Sequence, residues 1–205
     1  MSDSVDLPEY LDSTVKDFID AVAEPKPAPA AGSVAAIAVS MAAALCVKSA
    51  LLSTRQLTDA NDYARAAREL RDRANKLCQA DATAYAEVIL AQREERKQHS
   101  TNTADQVRVR LKHAAQVSLD IANLGIEVGA IAAHLTEVGN PNLTGDGTTA
   151  ALLAESGVRS ATTLALVNLV SAQSDPNAYR LTELIDLAAG YRTRALESVA
   201  ARSHK

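Results

Sequence analysis

Apolar side chains recur at three- and four-residue steps along most of this chain, the spacing of a helix that keeps one face apolar. Leu11, Val15, Phe18, Ile19 and Val22 form one such stripe and predict a first helix over residues 8–23, with Pro8 tolerated in its opening turn. Pro25, Pro27 and Pro29 then forbid helix and hold the backbone extended. A second helix is predicted from Gly32-Ser33 to about Ser53. It is almost wholly Ala, Val, Ile and Leu, so it must be covered on most sides. Its longest apolar run, residues 34–47, stops at Lys48; 14 residues are too few to span a bilayer, which marks it as a core helix.

Thr58 is the predicted N-cap of a third helix over residues 59–93. The charged stretch 93–100 reads as a solvated end or turn. Thr103 is placed to cap a fourth helix reaching about Glu137, in which Val107, Leu111, Ala114, Val117, Ile121, Leu124, Val128, Ile131 and Leu135 keep the helical repeat. A loop rich in Gly and Asn, residues 139–147, separates it from a fifth helix over 148–171. A sixth runs from the turn at 174–177 to about Arg202. With no convincing strand and no internal repeat, the expected architecture is all-α: a bundle of long antiparallel helices, residues 1–205 forming a single domain.

Composition strengthens that picture. Of 205 residues, 47% are hydrophobic but only 3% aromatic, the balance of an Ala- and Leu-rich helical chain rather than a sheet. A chain of this length buries enough surface to fold without disulfide or metal. Cys46 and Cys78 lie in apolar helical runs, as buried thiols in a reducing compartment would. The acidic start is unlike a signal peptide, so a cytoplasmic location without membrane contact is expected. With a net charge of −4 and no long basic block, the chain gives no footing for nucleic acid. The expected partner is a small-molecule substrate.

Chemistry is most concentrated at two helix starts. At Gly32-Ser33, unpaired backbone N–H groups can seat a carbonyl or anion, and Ser33 can cap the helix or bond a ligand. In the Gly- and Asn-rich loop, Asn140 and Asn142 offer amides. Asp146 offers a carboxylate that either caps the fifth helix or takes part in a site. Lys48, alone in its apolar helix, either snorkels outward or meets a substrate carboxylate. Arg65, Arg68, Arg71 and Arg73 alternate with acids and read as a solvated face. His113 and His134 are not spaced as metal ligands; His134, five residues before the loop, either reaches the pocket or is a surface or supporting residue, the second being the default.

In order and spacing these features resemble the cyclodeaminase/cyclohydrolase family. The run 15–23 followed by Pro29-Ala30-Ala31-Gly32-Ser33-Val34-Ala35-Ala36 is similar to its short helix, P-G-G-G-S-A-A turn and Ala-rich helix. Asp81-Ala82-Thr83-Ala84-Tyr85-Ala86-Glu87-Val88 resembles its acidic residue and A-F/Y-x-x-V. Gly139-Asn140-Pro141-Asn142-Leu143-Thr144-Gly145-Asp146 resembles its G-N-x-N-x-x-S-D loop. The resemblance covers nearly the whole chain and implies a helical homodimer acting on one-carbon tetrahydrofolates, without a metal or a tightly bound cofactor. One family reaction hydrolyses 5,10-methenyltetrahydrofolate to the 10-formyl form; the other closes 5-formiminotetrahydrofolate to the methenyl form and expels ammonia. Carried over by position, Asp81 and Asp146 become the proton-handling or pterin-anchoring residues. Gly32, Ser33, Asn140 and Asn142 line the pocket, with Lys48 and Tyr85 as further substrate contacts.

The departures matter too. Ala30 and Ala31 stand where the family has glycine, and Leu51 and Leu164 stand where it has asparagine. Missing amides weaken recognition of a pterin edge, each unpartnered donor costing about 1–3 kcal/mol. The expectation is therefore a folate-type C–N enzyme. The alternatives are a diverged member cyclising or deaminating a non-folate substrate in a specialised biosynthetic pathway, and a non-catalytic helical binding protein.

Overall fold

A computed structural model describes residues 7–98, 100–175 and 178–203. Its long elements are α1 (Val15–Ala23), α2 (Ala31–Leu51), α3 (Ala60–Gln98), α4 (Thr101–Val138), α5 (Thr144–Ser171) and α6 (Ala178–Ser203). Short 3-10 turns at Tyr10–Asp12 and Pro141–Leu143 precede α1 and α5. No strand occurs among the described residues.

Helix α2 is the centre. It packs against α3, α4 and α5, while α6 lies over α4 and α5. Neighbours in sequence run antiparallel: Ser33 meets Cys78 while Ser40 meets Asn75, and Asp146 meets Lys48 near one end of α2. The shared core is dominated by alanine, with Ala36, Ala42, Ala43, Ala50, Ala64 and Ala67 fully shielded, so helix axes approach closely and few large side chains are needed. Both cysteines are buried free thiols, each pushed up to about 12 by burial.

Helix ends moved where local hydrogen bonds outcompete apolar pattern. α1 starts at Val15 rather than near Pro8, because the Thr14 side chain accepts the Asp17 amide at 3.1 Å. Only Phe18 of its stripe packs on the core, edge-on to Tyr10, while Val15 and Ile19 are exposed. α3 begins beyond Thr58 and runs through the charged stretch to Gln98, helped by Lys97–Glu94. The N-cap of α4 is Ser100. Thr103 is its reciprocal partner inside the helix, completing a capping box. α5 starts four residues early, at Thr144. By length and apolar composition α2 could cross a membrane, but half of its most apolar window is buried inside the bundle.

Candidate functional site

Helix α2 begins without a side-chain cap on itself: its N-cap is Ala30, in extended backbone. The carboxyl of Asp81, from α3, fills that role. Ser33 Oγ lies 3.0 Å from Asp81 Oδ2 and 3.1 Å from the Cys78 carbonyl oxygen, and both Ser33 and Asp81 are buried. Gly32 leaves the space: a Cβ there would land inside the Asp81 carboxyl. Burial pushes Asp81 above the ordinary carboxylate range, against the hydroxyl and amide of Ser33, which favour its charged form. A protonated Asp81 can donate to Ser33 Oγ, which in turn donates to the Cys78 carbonyl, so every polar group finds a partner. The ionised form instead makes the single Ser33 proton choose between two acceptors. Ser33 is thus not a cap for its own helix but the link between two helices.

The two alanines in place of family glycines cause no strain here, since Ala30 is extended, Ala31 is helical and no described glycine has positive φ. A groove of about 620 Å³ runs along α5 from Leu152 past Ser156, Arg159 and Ser160 to Leu164, and reaches Ala31. Leu164 therefore lines a cavity beside the start of α2. Glu155 stands in its wall, held by Arg159 at 2.9 Å and Arg192 at 3.0 Å. Burial raises the Glu155 carboxyl, yet the two guanidinium groups outweigh it and bring it below its usual value. Tyr85 lies one turn along α3 from Asp81, partly exposed.

The second cluster gathers at the other end of α2. Lys48 Nζ reaches Asp146 Oδ1 at 2.7 Å. Asp146 is not an N-cap; it lies in the first turn of α5, where the helix dipole still favours a carboxylate. Asn140 donates from its backbone to Ser53 Oγ and from its side chain to the Leu52 carbonyl, both at 2.9 Å. Its Oδ1 accepts the Asn142 amide at 3.0 Å. Gly139 permits this closeness, because a Cβ there would press on the Leu135 carbonyl and Ser53 Oγ. The exposed Leu51 sits beside this cluster. His134 stacks on Tyr63 with ring centroids 4.8 Å apart.

The structure thus brings Gly32, Ser33 and Asp81 together, and Lys48, Asn140, Asn142 and Asp146 together, but keeps the two groups apart. Fifteen residues separate Ser33 from Lys48 on one helix, about 22 Å at 1.5 Å per residue. The sequence reading missed Ser53, Glu155 and three arginines of α6. A serine closing an apolar helix was the one local signal for Ser53, whereas the arginines look like any solvated helix face until α6 is packed. Among the described residues no three His, Cys, Asp or Glu side chains gather as a metal set.

The bundle is the fold of a cyclodeaminase-type helical protein. It superposes on the crystal structure of formiminotetrahydrofolate cyclodeaminase from Thermotoga maritima with a TM-score of 0.80, covering 94% of this chain and 98% of that one at 23% identity. The formiminotransferase-cyclodeaminase family model matches residues 14–184, and the chain belongs to that family. No curated protein matches it significantly.

Proposed function

We propose that this protein is an enzyme acting on a C–N bond of a cyclic amidine or iminium, as a formiminotetrahydrofolate cyclodeaminase or a 5,10-methenyltetrahydrofolate cyclohydrolase. The observation that carries this reading is Asp81. It is a buried carboxyl with a raised affinity for its proton, capping the start of a helix whose Ala31 lines a groove, where a proton-transfer group is useful. In the cyclodeaminase reaction the formimino group enters as an amidinium, and N10 adds to its carbon. Asp81 accepts the proton N10 loses and returns it to the amino group. The C–N bond then breaks, and ammonia departs with the electron pair, leaving the positive methenyl bridge.

The second half of the pocket comes, in this reading, from a second copy of the chain. Val34, Ile37, Met41, Leu45, Lys48 and Leu52 form a stripe along α2 that its own bundle leaves uncovered or half-covered. Met41 lies midway between Ser33 and Lys48. A two-fold axis near it, with the two α2 helices antiparallel, sets the Asp81 cluster of one protomer against Lys48, Asn140, Asn142 and Asp146 of the other. Lys48 then offers a cation to a substrate carboxylate, and the asparagines offer amides to its ring.

The test follows the methenyl absorbance, as formation from 5-formiminotetrahydrofolate and as decay of 5,10-methenyltetrahydrofolate, for the wild type, Asp81→Asn and Asp146→Ala. Turnover in one assay, lost in both variants, supports the reading. Background rates throughout overturn folate chemistry. One observation already favours a non-folate alternative, a cyclisation or deamination of another substrate: Leu164 presents an apolar side chain to the groove where the family resemblance expects an amide.

A further inference from the structure

The last turn of an α-helix leaves carbonyls without partners inside the helix. At the end of α4 the Gly139 amide takes the Leu135 carbonyl, and the Glu137 carbonyl receives the Arg202 guanidinium of α6 at 2.8 Å. The same guanidinium donates to Thr144 Oγ1 at 3.0 Å, and that hydroxyl donates to the Pro141 carbonyl at 2.6 Å. Arg202 therefore ties the end of α4, the 3-10 turn and the first residue of α5 into one unit. About two turns earlier on α6, Arg194 grips the Glu137 carboxylate with two bonds of 2.8 and 2.7 Å. The other flank of the segment is fixed to α2 through Ser53 and the Leu52 carbonyl. Asn140 and Asn142 lie between the Glu137 and Thr144 contacts of Arg202, and Asp146 follows two residues after Thr144.

We infer that Arg202 is the positioning residue of this loop, holding Asn140 and Asp146 at the geometry the site uses while touching no substrate itself. The inference rests on the reading that places these residues in the pocket. Arg202, with Arg192 and Arg194, lies beyond residues 14–184, so it is a device of this chain outside the stretch the family model describes. A planar guanidinium suits the role because it serves two acceptors at fixed angles, which an ammonium cannot do.

Two measurements test it on the full chain with Arg202→Ala, Arg202→Lys and, as a distant control, Arg110→Ala. Hydrogen exchange should accelerate about tenfold or more across residues 139–147 in Arg202→Ala, the scale of losing charge-assisted bonds. Exchange within α2 and α3 should stay as in the wild type, Arg202→Lys should be intermediate and Arg110→Ala unchanged. In the methenyl assay kcat should fall by a similar factor with KM moving less than about threefold, the mark of lost transition-state alignment rather than lost binding. Unchanged exchange in the loop overturns the inference, as does acceleration spread evenly over all helices. A wild type that turns over neither folate overturns the proposed activity, and the exchange result then decides the positioning role alone.

Discussion

Asp81 sets stability and chemistry against each other. Its native proton affinity is raised by burial, so between the ordinary aspartate range and its native value the folded state binds more protons than the unfolded one. Its contribution to stability is accordingly present at low pH and lost as pH rises through the native value, while a proton acceptor gains activity over that same interval. Asp81→Asn should hold or raise the melting temperature as pH rises through that interval, and flatten its pH dependence over it. A calorimetric series from pH 4 to 8 checks both halves. Gly32→Ala should act on the same carboxyl by displacing it, at a cost of about 1–3 kcal/mol for overpacking plus most of the activity. Urea melts and turnover at saturating substrate measure the two effects. Motif resemblance singled out Gly32, Ser33 and Asp81, but their contact was not legible. Nothing in the chain pattern states which turn of α3 faces the start of α2.

Helices were the legible scale, because an apolar period of three to four residues is written locally. Their ends were less so. The charged 93–98 segment is continued by side-chain bonds within one helical turn, and Asp146 changed role with the early start of α5 from a possible cap to an ion-paired residue of the first turn. α6 was visible as a helix but not as a clamp. It is held by Glu155–Arg192 and Glu137–Arg194, and Arg194 keeps the Glu137 carboxylate below the usual glutamate range. Both acids have depressed native values, so their stabilisation is complete above the ordinary glutamate range and is lost as pH falls through the native ones. Acidification should release α6 before the α2–α3 core, seen as early exchange of its amides. Arg192→Ala should cost about 1 kcal/mol, the carboxylate keeping Arg159 and the pair being partly solvated.

At the scale of the whole molecule, the uncovered stripe of α2 is what one protomer does not explain. A charge at its centre, Met41→Glu, should convert a dimer to a monomer in sedimentation velocity and remove activity without unfolding the bundle; a monomeric wild type would refute the shared pocket. The family resemblance implied a homodimer, yet the sequence could not say that the two polar clusters lie a helix length apart. That separation has a genetic reading. If each pocket draws Asp81 from one protomer and Asp146 from the other, two dead variants can heal one another. A dimer of Asp81→Asn with Asp146→Ala carries both lesions in one pocket and none in the other. Random pairing of equal amounts therefore restores about a quarter of wild-type activity, while protomers that each own a complete site stay dead however they are mixed.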